Sequence, residues 1–244
     1  MHIAERISRL GTETAFEVLV RARALEAQGK NIVHLEIGEP DFDTPSNIIE
    51  TAKNALDNGY THYGPSAGLP EAREAVAEYI NKTRNYSLYN ANEIVITPGA
   101  KPILFYGLMA TIDPGDEVIY PNPGFPIYES MINFLGGVPI ALPLQESKEF
   151  RFDIADLEAR ITPKTRMLII NTPQNPTGGI LTTEDLQAIA ELAVKHDFIV
   201  LSDEIYSQIT YDGFTNDTIT RFDGMKERTI LLDGFSKTFA MTGW

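Results

Sequence analysis

The sequence predicts an α/β protein in which a mainly parallel sheet is covered by helices on both faces. Two observations lead to this prediction. Short apolar runs of strand length recur through the second half of the chain, and segments of helical character lie between them. The chain has 244 residues, of which 43% are hydrophobic, and this is enough to bury a sizeable core.

The first part of the chain is expected to consist of helices joined by irregular segments. Residues 13–28 are rich in helix formers and stop at Gly29, a typical residue after a helix C-terminus. The glycine and two prolines of IGEPDFDTP predict an irregular connection, and Ser46 is a suitable N-cap for the helix that follows. A loop rich in glycine and proline then leads into a third, amphipathic helix. We expect these helices over residues 13–28, 47–57 and 70–83.

The remainder of the chain alternates between strand-like and helix-like segments. Buried strands are predicted at EIVITP (93–98), DEVIYP (116–121), VPIALPL (138–144), RMLIINTP (166–173), FIVLSDE (198–204) and TILLDGF (229–235). Helices are clearest at 101–111, 125–135 and 182–196. Strands that alternate with helices favour a parallel sheet.

Charge and composition argue against several functional classes. The 34 acidic and 20 basic residues give a formal net charge of −14, which disfavours nucleic acids and anionic membranes as partners. The chain has no cysteine, so disulfides, thiolate catalysis and cysteine-based metal sites are excluded. Its four histidines lack metal-site spacing, and no apolar stretch resembles a membrane span or a signal peptide. We expect a soluble, cytoplasmic protein without a metal.

The candidate functional residues follow the predicted strands. Ligands bind at the carboxyl ends of the strands in parallel sheets, so the residues after each apolar run were compared. They include an amide, a carboxylate, a phenol, an amine and several small or hydroxylated groups. The segments concerned are 99–101, 122–125, 175–178, 203–206 and 236–238.

This set of groups suits a phosphorylated aromatic aldehyde better than it suits a nucleotide. Pyridoxal phosphate requires an amine for its aldehyde, a carboxylate for its ring nitrogen and hydrogen-bond donors for its ring oxygen. Its phosphate requires backbone N–H groups and hydroxyls at a helix N-terminus. The residues therefore indicate a pyridoxal-phosphate site.

Each of these residues also has a commoner structural role. A lysine such as Lys237 is usually solvated, and an aspartate such as Asp203 at a strand-to-helix turn is usually an N-cap. Asn175, followed by proline, is also typical of a plain turn, Phe125 of a core position, and Lys101 of the solvated surface. The occurrence of several motifs in order favours the functional interpretation.

The chain resembles the fold-type I pyridoxal-phosphate enzymes, and within them the class I aminotransferases of the aspartate aminotransferase group. The resemblance covers nearly the whole chain and implies the large domain of that fold, a three-layer αβα arrangement. The motifs that carry it are, in chain order, IGEPDFDTP, HYGPSAGLPEAR, ITPGAK, IDPGDEVIYPNPGFPIY, NTPQNPTGG, LSDEIY and GFSKTFAMTGW.

The resemblance implies a role for each ring-contacting residue. Lys237 matches the lysine that forms the Schiff base and shuttles the proton between Cα and the cofactor's C4′. Asp203 matches the partner of the pyridine nitrogen, and Tyr206 and Asn175 match the donors to the phenolic oxygen. Phe125 stands where an aromatic ring stacks on the cofactor, and with Asn175 it is also implied to contact substrate.

Further positions are implied to hold the phosphate and the substrate. Gly99, Ala100 and Lys101 match the phosphate-cradling turn, and Ser236 matches a phosphate hydroxyl ligand. A homodimer with shared active sites is implied by Tyr63, which resembles a tyrosine that reaches the phosphate of the neighbouring subunit. Gly38 resembles the backbone contact to the substrate's carboxylate region. These two assignments complete the implied site.

The resemblance also implies a domain division. Residues 1–45 correspond to part of a small domain, and residues 46–244 to an incomplete large domain. In the family an arginine follows TGW, whereas Trp244 is last here, and one antiparallel strand and the C-terminal small domain would come later still. We therefore expect this chain to be part of a longer protein.

The predicted function is transfer of an amino group from an L-amino acid to a 2-oxo acid by a ping-pong mechanism. Another reaction of the same cofactor, such as elimination or decarboxylation, is an alternative within the fold. A non-catalytic sensor or assembly module is an alternative from a different class, although the full set of Lys237, Asp203, Tyr206 and Asn175 argues against it.

Overall fold

The structure, a computed structural model, describes residues 2–11, 14–86 and 89–244. Its strands are β1 (Glu117–Asn122), β2 (Val138–Pro143), β3 (Thr165–Asn171), β4 (Ile199–Asp203) and β5 (Thr229–Leu232). Its α-helices are α1 (Thr14–Glu26), α2 (Ser46–Asp57), α3 (Pro70–Thr83), α4 (Lys101–Thr111), α5 (Ile127–Leu135), α6 (Ile154–Glu158), α7 (Thr183–His196) and α8 (Phe235–Thr238). Within the described ranges, no helix is both long and apolar enough to cross a membrane.

The five strands form one sheet in the order β2-β1-β3-β4-β5. All four neighbouring pairs are parallel. The chain places β2 on one side of β1 and then returns to the other side for β3, so the direction of strand addition reverses between β1 and β3. A reversal of this kind leaves a crevice at the carboxyl edge of the sheet, where ligands bind in such folds.

Helices cover both faces of the sheet. Successive residues of a strand point to opposite faces. On β3, Leu168 packs in the cluster that contains Ile189 of α7, whereas Met167 packs with Leu104 of α4 and Ile132 of α5. The predicted three-layer αβα architecture with a parallel sheet is therefore confirmed.

Helix α7 shows how the sequence specifies one of these layers. Thr182 accepts a hydrogen bond from the Asp185 N–H, and the Asp185 carboxylate accepts one from the Thr182 N–H, so the first turn is capped reciprocally. Acidic residues occupy its first turn and basic residues its last, which complements the helix dipole. Its buried face is apolar, and this face attaches the helix to the sheet.

The segment 93–98 differs from its prediction as a strand. Ala91–Glu93 is a single turn of 3-10 helix, and the following residues are extended without forming a strand of the sheet. The Ile96 N–H donates instead to the Ala67 carbonyl, and Val95 is exposed. A strand requires a partner for its backbone groups, and none of the five described strands pairs with this segment. The apolar character of a segment was therefore not enough to predict a strand here.

The other element predictions hold, with two corrections and two additions. The strand predicted over 229–235 ends at Leu232, and the short helices α6 and α8 were not predicted. Helices are present at the positions predicted, 13–28, 47–57, 70–83, 101–111, 125–135 and 182–196, with bounds that shift by a few residues; residue 13 lies outside the described residues. Ser46 was expected to cap α2 but is its first residue. Pro45 occupies the cap position in an extended conformation, and it makes no side-chain cap hydrogen bond.

The packing of α7 predicts that substitutions on its two faces will have very different effects on the free energy of unfolding. Ile189→Ala should lower the free energy of unfolding by about 2–5 kcal/mol, because it leaves a cavity in a fully buried cluster. Val194→Ala, on the exposed face of the same helix, should change it by less than about 0.5 kcal/mol. Denaturant unfolding would measure both values, and equal effects would contradict the assigned packing.

Candidate active site

The carboxyl ends of β3, β4 and β5 lie side by side and form the floor of the candidate site. Their register places Asn171 opposite Asp203, and Asp203 opposite Leu232. The segments that follow these residues therefore leave the sheet at the same level. The chain after β5 turns into α8, which carries Lys237, so the amine and the Asp203 carboxylate come from neighbouring strands.

Asp203 is held in place by two hydrogen bonds to its carboxylate. One oxygen accepts from the Tyr128 hydroxyl at 2.6 Å, and the other accepts from the Ile205 N–H at 3.2 Å. The second bond caps the turn that begins after β4, so Asp203 does have the structural role of a capping residue. The side chain is also buried at the edge where a ligand would lie.

Burial raises the pKa of Asp203 from 3.8 to about 6. The hydrogen bonds from Tyr128 and from the Ile205 N–H oppose this shift, and the nearby Asp233 carboxylate adds to it. The shift is too small to neutralise the group at pH 7, because the pH then still exceeds the pKa. Asp203 is therefore a buried anion at neutral pH.

Tyr128 was missed in the sequence analysis. It lies on α5, has no exposed surface, and its ring meets that of Phe125 edge-on at a centroid distance of 5.7 Å. Burial, with the neighbouring Asp203, raises the pKa of its hydroxyl well above 10, so it remains protonated as a donor. A tyrosine within a buried helix face requires a partner for its hydroxyl, and that requirement is the signal in the sequence.

Asn171 and Gln174 organise the loop that follows β3. The Asn171 amide donates to the Asp203 carbonyl at 3.0 Å, and its oxygen accepts the Asn175 N–H at 2.7 Å. Gln174 donates to the Pro123 carbonyl at 2.9 Å, which links this loop to the one after β1. These two amides, which the sequence analysis also missed, fix the position of Asn175.

Tyr206 and Asn175 are brought together above Asp203. Burial raises the pKa of the Tyr206 hydroxyl, the nearby Asp203 charge raises it further, and a hydrogen bond with the Asn175 side chain lowers it. The phenol therefore remains protonated at neutral pH and is available as a donor beside the amide.

Lys237 lies next to this pair. Its ammonium is 5.6 Å from the centroid of the Tyr206 ring, within the range of a cation–π contact. The same nitrogen donates to the Gly38 carbonyl, which brings the N-terminal segment over the site. The structure thus joins Lys237, Tyr206, Asn175, Asp203 and Gly38 in one group.

Other hydrogen bonds attach the N-terminal segment to the last residues of the chain. Thr44 donates to the Ala240 carbonyl, and Thr242 donates to Glu39 at 3.1 Å. The Trp244 indole donates to the Thr44 hydroxyl at 3.1 Å. The contact between Gly38 and Lys237 is therefore one of several hydrogen bonds that join these two segments.

The turn at 99–101 presents the start of α4 to the same edge. Gly99 has a φ of +88°, a left-handed conformation that favours glycine, and its carbonyl accepts from the Thr97 hydroxyl at 2.6 Å. Ala100 is the N-cap and Lys101 is the first helical residue. The first N–H groups of a helix lack an acceptor within the helix and attract anions.

Lys101 and Phe125 are in contact. The Lys101 ammonium lies 5.9 Å from the centroid of the Phe125 ring and 5.6 Å from that of Phe16. The Phe125 ring is partly buried against the cluster on the α4 and α5 side of the sheet. It therefore has both the core role and a surface toward the site.

Ser236 and Tyr63 make fewer contacts with the other residues of the candidate site. Ser236 lies beside Lys237 on α8, and its carbonyl accepts the Met241 N–H. Tyr63 is fully exposed, so this chain alone does not bring it to the other site residues.

The assembled groups fit pyridoxal phosphate. The site offers the Lys237 amine, the buried Asp203 anion, the paired donors Tyr206 and Asn175, and the backbone turn before α4. Each polar group of the cofactor thus meets a group of complementary charge or hydrogen-bonding character. Gly99 supports the fit, because a Cβ built on it meets nothing within 4 Å, which leaves its backbone open to a ligand.

Named relatives resemble this chain in sequence. An aromatic-amino-acid aminotransferase 2 of Thermococcus litoralis is 50% identical over 219 residues, which are 89% of this chain and 56% of the relative. An aspartate aminotransferase of Pyrococcus abyssi is 49% identical over 215 residues, or 88% of this chain and 55% of the relative. The chain thus spans little more than half the length of these relatives.

Solved structures show the same fold. An aspartate aminotransferase from Thermus thermophilus with maleate has a TM-score of 0.95 and 39% identity, and the match covers 100% of this chain and 63% of that one. An aromatic aminotransferase from Pyrococcus horikoshii has a TM-score of 0.83 and 49% identity, over 85% of this chain and 56% of that one.

A family profile covers most of the chain. The profile described as aminotransferase class I and II matches residues 30–244. Pyridoxal 5′-phosphate is the cofactor of this family, as the sequence analysis predicted. The chain belongs to the aminotransferase class I and II family.

Proposed function

We propose that the protein containing this chain is a pyridoxal-phosphate-dependent aminotransferase that moves an amino group from an L-amino acid to a 2-oxo acid by a ping-pong mechanism. One observation carries the proposal. An amine on Lys237 and a buried carboxylate on Asp203 come from adjacent strand ends, with the Tyr206 ring beside the amine. The matched relatives are named aminotransferases, which favours this reaction over elimination, decarboxylation or a non-catalytic role.

Asp203 would govern the cofactor's electronic state. Pyridoxal phosphate, when bound, supplies an electron sink for the electrons of the substrate's Cα–H bond. As an anion at neutral pH, Asp203 would hold a proton on the ring nitrogen, and an opposite charge at this position keeps that nitrogen protonated. In the cofactor-free protein the carboxylate becomes neutral below about pH 6, and a bound pyridinium would lower this pKa.

Lys237 would act as the amine and as the general base. It would first engage the cofactor's aldehyde carbon and, once displaced by substrate, accept the proton from the substrate's Cα and return it at C4′. Its short helix follows β5 directly, and its ammonium lies near the Tyr206 ring and the Gly38 carbonyl. Gly38 would also face the substrate's carboxylate.

The remaining residues would hold the cofactor and orient it. Tyr206 and Asn175 would donate to the ring oxygen, and Phe125 would cover the ring face and contact substrate, as would Asn175. The phosphate would lie at the α4 N-terminus, at Gly99, Ala100 and Lys101, with Ser236 as a hydroxyl ligand. Water exclusion would come from the N-terminal segment that closes over Lys237.

The domain division stays a proposal supported by exposure. Residues 1–45 carry several exposed apolar side chains, including Phe16, Val33, Leu35 and Phe42. An apolar surface of this kind is typical of a segment that packs on further protein. We infer that this segment belongs to a small domain and residues 46–244 to the large one. A cytoplasmic location stays a prediction.

A homodimer with shared sites is proposed from Tyr63 and α4. Tyr63 is fully exposed, and α4 is apolar nearly all round, with Tyr106 and Met109 exposed. A helix of that character is normally buried, so a second copy would cover it. Tyr63 would then reach the phosphate of the partner's site.

Replacement of the lysine gives the first test. Lys237→Ala should abolish transamination and remove the visible absorbance of bound cofactor that depends on the lysine. Lys195→Ala is the matched control, because Lys195 lies on the outer surface of α7 and pairs with Glu158. Spectra and assays of 2-oxo acid formation would measure both. An unchanged spectrum in Lys237→Ala would refute the assignment.

Tyr128→Phe tests the support of the buried anion. Loss of the hydroxyl removes a hydrogen bond that favours the ionised form, so the pKa of Asp203 should rise from about 6 to about 7. Tyr120→Phe is the control, since the Tyr120 hydroxyl is hydrogen-bonded to Glu129. Carbon-13 NMR titration of the Asp203 carboxyl in cofactor-free protein measures the pKa directly. An equal pKa in both variants would contradict the role given to Tyr128.

Mixed dimers test the shared site. Tyr63→Ala dimers should be weakly active when the cofactor concentration is low, and Lys237→Ala dimers should be inactive. After unfolding and refolding as a mixture, hybrids would contain one site with both residues intact, so activity should recover to about a quarter of the wild-type value. No recovery, despite hybrid formation shown by mass spectrometry, would place both residues in the same subunit's site.

A further inference from the structure

A buried ion cluster lies directly behind the proposed active site. Arg84, the residue that follows α3, donates from Nε to Glu204 at 3.1 Å and from Nη2 to Asp233 at 2.7 Å. The side chains of Arg84 and Glu204 are 3% and 0% exposed, and that of Asp233 is 11% exposed. One guanidinium therefore bridges two buried carboxylates.

The two carboxylates belong to the segments that carry the proposed catalytic groups. Glu204 comes directly after Asp203, and Asp233 comes after the last residue of β5, four residues before Lys237. Arg84 therefore connects the ends of two neighbouring strands to the end of a helix.

The carboxylate oxygens that do not face Arg84 are also bonded. The second oxygen of Glu204 accepts from Ser202 at 3.0 Å and from Thr218 at 2.8 Å. The second oxygen of Asp233 accepts the Gly234 N–H at 2.7 Å, which fixes the turn into α8. Both carboxylates are thus immobilised in defined orientations.

A buried ion cluster of this kind adds little to the net stability of a fold. The desolvation of three charges offsets most of their attraction, and apolar side chains of similar size often stabilise a fold equally well. A buried guanidinium does, however, fix geometry, because its planar fork satisfies carboxylates only in particular orientations. The placement of the cluster between two strand ends makes that geometry relevant to function.

We propose that Arg84 is a positioning residue that, through Glu204 and Asp233, sets the relative position of Asp203 and Lys237. The proposal rests on the roles given to these two residues under the proposed function. Arg84 itself would touch neither cofactor nor substrate.

The test compares Arg84→Met and Arg84→Lys with Arg228→Met in the full-length protein that contains this chain. Arg228 is the control arginine. It pairs with the exposed Asp197 at 3.0 Å just before β5, at the opposite edge of the sheet, so its replacement leaves the buried cluster intact. Hydrogen exchange by mass spectrometry reports the segments 203–206 and 233–238. Equilibrium dialysis against pyridoxal phosphate reports cofactor affinity, and steady-state kinetics separate kcat from KM.

Arg84→Met should accelerate exchange in both segments by about tenfold relative to Arg228→Met. Misplacement of the reacting groups should lower kcat by about 10²-fold with a smaller change in KM. Arg84→Lys keeps the charge but loses the fork, so its values should lie between those of Arg84→Met and the wild type. Unchanged exchange and an unchanged kcat in folded Arg84→Met would overturn the proposal.

Asp233→Asn provides a second route if Arg84→Met does not fold. It loosens only the β5 side, so faster exchange should be confined to 233–238, and unchanged exchange there would equally overturn the proposal. Failure of the wild-type protein to bind pyridoxal phosphate would instead refute the proposed function. The two failures are therefore distinguishable.

Discussion

The buried carboxylate of Asp203 is the constraint on which the site depends. An anion removed from water must receive hydrogen bonds or charge in return. The described donors to Asp203 are both neutral, the Tyr128 hydroxyl and the Ile205 N–H. To provide them, α5 must pack on the sheet so that the Tyr128 side chain reaches the end of β4, and the chain must turn as soon as β4 ends. The position of α5 and the length of β4 are therefore tied to the requirements of one side chain.

Asp203 and Glu204 are neighbours with opposite electrostatic situations. Burial raises the pKa of both carboxyls, but Glu204 faces the Arg84 guanidinium, which lowers its pKa again. The charge of Glu204 is thus matched within the protein. The charge of Asp203 is stabilised by dipoles, so a cationic group that enters the site, such as a protonated ring nitrogen, still gains from it. This difference explains how one of two adjacent buried acids can be structural while the other is available to a ligand.

The sequence predicts those features that depend on local pattern. Periodicity located six of the eight described α-helices and five of the six predicted strands. The rule that ligands bind at strand ends singled out Lys237, Asp203 and Tyr206, which the structure brings close together. The strand prediction at 93–98 was wrong, because a β-strand needs a neighbouring strand to accept and donate its backbone hydrogen bonds. The sequence of the segment alone does not provide one. Tyr128 and Arg84 were missed because their partners are 75, 120 and 149 residues away, so no local spacing signals them. The proposed role of Tyr63 depends on a second chain and remains a prediction.

Under the proposed function, Gly38 would serve the lysine and the substrate together. A substrate carboxylate requires a hydrogen-bond donor, and the only donor that Gly38 has is its backbone N–H. The Gly38 carbonyl meanwhile accepts from Lys237, and the two groups of a residue can be used independently. Substrate bound through the N–H would therefore leave the lysine contact intact. Thr44 and Glu39 attach the same segment to Ala240, Thr242 and Trp244, so the N-terminal segment is held against the residues that follow the helix of Lys237.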